Sequence, residues 1–174
     1  KIYFLLFVNL LKSQIFYIVM VIKPSNWPLD VEYNNLQSFF GFKNMKKDCN
    51  TDVRIKKIED KNSVVFGQYG LFAAKDFQKF DVIGQYTGEV VPFCKGGNYV
   101  AYCDKFNIDA NKIGNELRYI NDYQNIADEP NTTIRVTYID KKPRVLFVVT
   151  KDIKEDEQIL TYYGKEYWNG VNNY

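Results

Sequence analysis

Any proton this protein moves must travel through tyrosine, carboxylate, lysine, cysteine or water, because none of its 174 residues is histidine. That absence removes Ser-His and Cys-His catalysis, His-ligated zinc and histidine general bases. The three cysteines, Cys49, Cys94 and Cys103, are odd in number and form no Cys-x-x-Cys pair. They argue against a disulfide scaffold and a four-cysteine zinc site, so no metal is expected, and a reducing compartment, nucleus or cytoplasm, fits best. Fourteen tyrosines remain, and several stand beside glycines: Gly67-Gln68-Tyr69-Gly70, Tyr86-Thr87-Gly88-Glu89 and Tyr162-Tyr163-Gly164. The first is no dinucleotide fingerprint, since no GxGxxG follows and no helix opens after it. Taken singly, each segment reads as a turn between strands, and each tyrosine as core packing. Their order along one chain carries more than any of them alone.

The elements that must hold these residues are short strands. Val53–Ile58 alternates apolar and basic residues, the period of a half-buried strand. Ser63–Phe66, Gly70–Ala74, Val82–Tyr86, Asn98–Cys103 and Phe106–Ile108 follow, with Gly88 and Gly96-Gly97 at bends, and Asn115–Asn121 predicts one helical turn. Thr132–Tyr138 and Arg144–Thr150 flank Asp140-Lys141-Lys142-Pro143 as a hairpin, and Gln158–Tyr162 is a last strand. A short helix is predicted over Val31–Phe40. Many short strands with few short helices make a mainly β domain.

A net charge of +2 asks for no polyanionic partner. The basic runs Lys46-Lys47, Lys56-Lys57 and Lys141-Lys142 are short enough to be solvated surface, so direct nucleic-acid binding is not expected. Ile2–Ile22 is apolar and about as long as a membrane span. However, Lys12 near its middle costs about 2.5–3.5 kcal/mol on insertion. Three readings compete for it: an over-extended gene start, a signal anchor and a genuine N-terminal element. Membrane association is expected only under the second. The expected organisation is residues 1–19 as that apolar segment, 20–52 as a flanking region, 53–168 as the domain and 169–174 as a tail.

Five blocks in order resemble the SET domain of protein lysine methyltransferases. Gly67–Phe77 resembles its opening Gly-aromatic-Gly loop and strand. Gln85-Tyr86-Thr87-Gly88-Glu89 looks like its Tyr-x-Gly-Glu strand. Ile108-Asp109-Ala110 with Gly114-Asn115-Glu116-Leu117-Arg118-Tyr119-Ile120-Asn121 is similar to its Asp-Ala … Gly-Asn-x-x-Arg-Phe-x-Asn segment. Pro130-Asn131 stands at its Pro-Asn, and Glu157–Gly164 at its closing strand and Tyr-Gly. The resemblance covers roughly Val53 to Trp168 and implies a β-clip-like SET domain, with short twisted sheets and a C-terminal pseudoknot.

The implied activity is S-adenosylmethionine-dependent methylation of lysine in a partner protein, with a histone tail the leading substrate class and another protein next. By motif position, Tyr163 and Tyr86 would be catalytic. Gln68, Tyr69, Gly70, Arg118, Asn121, Asp122 and Trp168 would bind the cofactor, and Tyr86, Tyr119, Tyr162 and Tyr167 would wall the lysine channel. The chemistry suits a histidine-free site. A lysine ammonium, with a pKa of about 10.4, must lose its proton in a desolvating channel, and methyl transfer is then mainly positioning.

Departures stand beside the matches. The family's Asn-His-Ser-Cys reads Asn121-Asp122-Tyr123-Gln124 here, Gln68 replaces the first loop glycine, and Thr161-Tyr162 replaces Phe-Asp before the catalytic tyrosine. No cysteine follows Cys103, so the cysteine-rich zinc segment is missing from this stretch. The alternative to an enzyme is therefore a catalytically impaired, SET-derived module that binds a peptide tail or chromatin protein.

Overall fold

The computed structural model describes residues 5–6, 19–20, 23–34, 50–91, 98–103, 106–139, 142–165 and 167–168. In chain order the strands are β1 (Leu5–Leu6), β2 (Val19–Met20), β3 (Glu32–Tyr33), β4 (Val53–Lys57), β5 (Tyr69–Ala73), β6 (Val82–Gln85), β7 (Glu89–Val91), β8 (Val100–Cys103), β9 (Phe106–Asp109), β10 (Ile113–Gly114), β11 (Asn121–Asp122), β12 (Thr132–Ile139), β13 (Lys142–Val149) and β14 (Leu160–Thr161). One 3-10 turn, Glu116–Tyr119, precedes β11. The strands form six small sheets, four two-stranded and two three-stranded, the mainly β architecture the sequence predicts.

Alternation explains most of these elements. In β4, Val53 and Ile55 point inward while Arg54 faces solvent, and the strand pairs antiparallel with β5, whose Leu71 and Ala73 are fully buried. The hairpin β12–β13 runs in unbroken register from Thr132↔Val149 to Ile139↔Lys142. Lys142 and Pro143 therefore belong to the strand rather than to the turn. At Gly88 a Cβ would collide with the Asp109 carbonyl, so only glycine lets β7 lie this close to β9.

Two predicted elements are corrected. Ser63–Phe66 is a series of turns, not a strand. Ser63, Phe66 and Gln68 each donate to the carbonyl three residues back, and Val64 and Phe66 are exposed. Glu32–Tyr33, inside the predicted helix, is instead a strand parallel to β10, because Tyr33 is drawn into the core beside Trp27. The rest of that helix beyond Asn34 lies outside the described residues, as do Cys49, Cys94, Lys46-Lys47, Gly96-Gly97 and Asp140-Lys141. Among the described residues, no helix is long and apolar enough to cross a membrane.

The crossing that the resemblance implies joins β11 and β14, which run parallel with Asn121↔Leu160 and Asp122↔Thr161 in register. Parallel neighbours need a long connection, and here it is the β12–β13 hairpin and its flanks. Asn131 fixes the other side of β14. Its Nδ2 donates to the Gln158 carbonyl at 2.8 Å, and its Oδ1 accepts the Leu160 N–H at 2.8 Å. The Thr132 hydroxyl adds a bond to the Leu160 carbonyl at 2.8 Å.

Candidate functional site

A cavity of about 790 Å³ opens beside this crossing, within the range of roughly 300–1,000 Å³ typical of small-molecule sites. Every residue singled out from the sequence lines it except Gly70 and Tyr162. Gly70 is buried on the far side of its strand, where a Cβ would meet Gln158 Nε2 at 2.8 Å. It serves close packing of β5 rather than the cavity. Tyr162, just past β14, turns away from the cavity: it is 41% exposed and packs edge-on against Tyr123 with ring centroids 6.0 Å apart.

Two buried phenols line the cavity. Tyr86 follows β6, and its hydroxyl donates to the Tyr99 carbonyl at 2.7 Å. Tyr163 follows β14, and its hydroxyl donates to the Ile120 carbonyl at 2.7 Å. Both phenol protons are thus committed to backbone oxygens, which leaves only lone pairs for the cavity. Burial pushes both hydroxyls above their ordinary pKa, helped at Tyr86 by Tyr163 and at Tyr163 by Tyr167 and Asp122. They stay neutral at working pH and are not bases. Tyr119 is likewise pushed up to about 12 by burial, opposed by Arg118.

The same cavity wall carries a cation. Arg118 leaves the 3-10 turn 6% exposed, with its guanidinium 3.9 Å from the Tyr99 ring centre, 5.3 Å from Tyr119 and 5.8 Å from Trp27. Its Nε has no hydrogen-bond partner, and no carboxylate pairs with it among the described residues. A structural ion pair, the plain alternative for this residue, is therefore not what holds it. Asn121 donates to the Tyr69 carbonyl at 3.2 Å, and it lines the cavity with Gln68 and Tyr69.

The third wall folds back over the crossing. Gly164 adopts φ +96°, a conformation L side chains resist, and the chain reverses into a helical turn at Lys165. Tyr163, Tyr167 and Trp168 then stack edge to face, at 4.8 Å and 5.5 Å between successive rings. Asp122 sits beneath them, 7% exposed. Thr161, also on the wall, leaves open the space a larger side chain there would fill.

Sequence reasoning missed three contributors. Tyr99 holds φ +61°, rare for a bulky aromatic and characteristic of functional sites. It covers Arg118 while its carbonyl takes the Tyr86 proton. The turn-forming Gly96-Gly97-Asn98 just before it was the available signal. Phe147 packs tilted against Tyr86 at 6.0 Å. Trp27, from the N-terminal flank, packs edge-on against Tyr119 at 5.8 Å, and no local pattern marks it. Among the described residues, no group of His, Cys, Asp and Glu is placed to hold a metal.

Comparison with known proteins gives these parts a common source. The SET domain profile matches residues 68–164. The histone-lysine N-methyltransferase EZH2 of Chaetomium thermophilum is 30% identical over 120 residues, which is 58% of this chain and 8% of that protein. Two solved structures superpose with a TM-score of 0.56 over 72% of this chain. One is Chaetomium thermophilum Polycomb Repressive Complex 2 bound to GSK126, at 25% identity and 17% of that chain. The other is ctPRC2 in an autoinhibited conformation bound to S-adenosylmethionine, at 26% identity and 16% of that chain. The sequence thus spans only a small part of the length of each protein it matches.

Proposed function

From the premise that this chain belongs to the SET domain family, we propose that it is a protein-lysine methyltransferase using S-adenosylmethionine. The observation that carries the reading is one cavity whose wall holds a buried cation, Arg118, and two proton-committed phenols, Tyr86 and Tyr163. The cofactor suits it. Arg118 lines the cavity and forms no ion pair among the described residues, so its guanidinium would favour the cofactor's carboxylate nearby. Asn121 and the Gln68-Tyr69 wall would hold the remainder. When bound, S-adenosylmethionine supplies a methyl group activated by a sulfonium.

The residues of this chain do the rest by position. The oxygens of Tyr163 and Tyr86 offer lone pairs to an incoming amine and so align it without taking its proton. The amine arrives already neutral, its pKa lowered by the aromatic walls of Tyr86, Phe147 and Tyr167. Tyr167 and Trp168 exclude water from the same space. A histone tail is the leading substrate class, since the EZH2 relative is a histone-lysine methyltransferase, and nucleus or cytoplasm is the corresponding place of action.

Incubation with radiolabelled S-adenosylmethionine, core histones and a cell lysate tests this, beside a Tyr163→Phe control. Label on a discrete protein, lost in the control, is the expected result. Cofactor binding absent and no label on any protein would overturn the enzyme. It would leave the binding-module reading, which rests on Asp122 standing where the family carries histidine.

A further inference from the structure

Asp122 is the point at which this chain departs furthest from the family's pattern inside the cavity. Its side chain makes three contacts, all with N–H donors. Oδ2 accepts the Tyr163 backbone N–H at 2.7 Å and the Trp168 indole N–H at 3.3 Å, and Oδ1 accepts the Gln124 N–H at 2.8 Å. None of the described lysines or arginines forms an ion pair with it. Two of the three donors lie on the C-terminal side of the crossing, 41 and 46 residues away. Those two also bracket the Gly164 reversal, so one carboxylate oxygen grips the arm before and after its bend.

The residue type matters. A carboxylate has about four lone-pair sites on two oxygens, enough for all three donors. A neutral imidazole has a single acceptor nitrogen, and its other nitrogen is itself a donor. Histidine at this position could not hold both N–H groups of the arm.

We infer that Asp122 is a positioning residue, a latch that fixes the Tyr163–Trp168 arm as the third wall of the cofactor cavity. This deepens the methyltransferase reading and rests on it for its consequence, though the latch itself stands on geometry alone. With the latch intact, the Tyr163 phenol is set on the cavity wall, and Trp168 closes the cavity against water. Without it, the arm keeps its Tyr163–Tyr167–Trp168 stacking but loses its registration on β11.

Acrylamide quenching of tryptophan emission in the full chain reads the latch directly. Trp27, the other tryptophan, is 4% exposed and donates to the Val31 carbonyl at 2.8 Å, so a change in the accessible fraction reports Trp168. In Asp122→Ala and Asp122→His the accessible fraction should rise. S-adenosylmethionine should then bind about 10- to 100-fold more weakly, the loss of charged hydrogen bonds. Trp168→Phe, which removes the indole donor together with part of the ring, should cost less than Asp122→Ala. Combined with Asp122→Ala, it should cost clearly less than the two single losses added together. It keeps the test alive if the Asp122 variants fail to fold. Unchanged quenching in a folded Asp122→Ala protein, or additive losses in the double variant, would overturn the latch. If quenching responds while the wild type binds no S-adenosylmethionine, the latch stands and the methyltransferase reading falls.

Discussion

Two places in this molecule tie a late stretch of chain to an early one, and they do so by opposite means. At the crossing, Asn131, Thr132 and Asp122, each under 9% exposed, hold β14 and the arm beyond it through side-chain bonds to backbone. At the rim, the turn carrying Glu155 and Asp156 is held to β4 by Arg54 and Lys56 through ion pairs whose side chains are 39–60% exposed. A bond made out of water leaves an orphan when cut, at about 1–3 kcal/mol. An exposed pair is screened and contributes about 0–1 kcal/mol. The chain has put its site where the ties are of the first kind.

Cutting at the crossing should have the largest effects. Tyr163→Phe keeps the ring but removes the hydroxyl bonded to Ile120, and should lower methyl transfer about 100- to 1,000-fold, the scale of a lost oriented polar group. Its affinity for S-adenosylmethionine, read by calorimetry, should stay near the wild-type value. Next comes Asn131→Ala, which orphans the Leu160 N–H and the Gln158 carbonyl together. Urea denaturation should show a loss of about 2–4 kcal/mol with an unchanged slope.

A pH series sets the phenols against the substrate. Burial holds Tyr86 and Tyr163 above the ordinary phenol value of about 10, so both stay protonated through the accessible range. Activity should therefore rise with pH along a single limb belonging to the substrate amine, with no fall below about pH 10. A descending limb that vanished in Tyr163→Phe would contradict this.

At the rim the expected effects are the smallest. Glu155→Ala, which cuts only the exposed pair with Arg54, should leave the Tm close to the wild-type value. Lys154 and the Glu155 N–H hold Asp76 below its ordinary carboxylate value, and Lys56 and Arg54 do the same for Asp156. Both groups favour the folded state above the unfolded carboxylate pKa. That contribution fades as pH falls below about 4 through the lowered folded values. A Tm series from pH 5 to pH 2 should show only a shallow decline from this source, and 1 M salt should flatten it.

The same contrast explains what could be read in advance. Alternation gave β4, β5 and the β12–β13 hairpin, because each buries one face against a neighbour close by. Ordered motifs gave Tyr86, Arg118 and Tyr163, because side chains of those types at those intervals are tied to one architecture. Tyr99 and Trp27 escaped, since what makes them matter is a partner far along the chain: Arg118 for both, and Tyr86 for the Tyr99 carbonyl. Ser63–Phe66 misled for the opposite reason. Its apolar residues look like a strand, but they spend their backbone bonds on local turns beside the cavity. Gly70 and Tyr162 sit within true motifs, but Gly70 faces the far side of β5 and Tyr162 turns out past the end of β14.

The parallel pairing of β11 with β14 also dictates when the site can exist. A ribosome adding about 5–20 residues per second delivers Asp122 well before Leu160. For that interval the nascent chain displays half a cavity, with the aromatic faces of Tyr69, Tyr99 and Tyr119 uncovered. No cofactor can be retained until the segment through Trp168 has emerged and threaded home. A premature stop between Asp122 and Leu160 would remove β14 and the Tyr163–Trp168 wall, and an early one would also remove the β13 residues Val145, Phe147 and Val149 from the core.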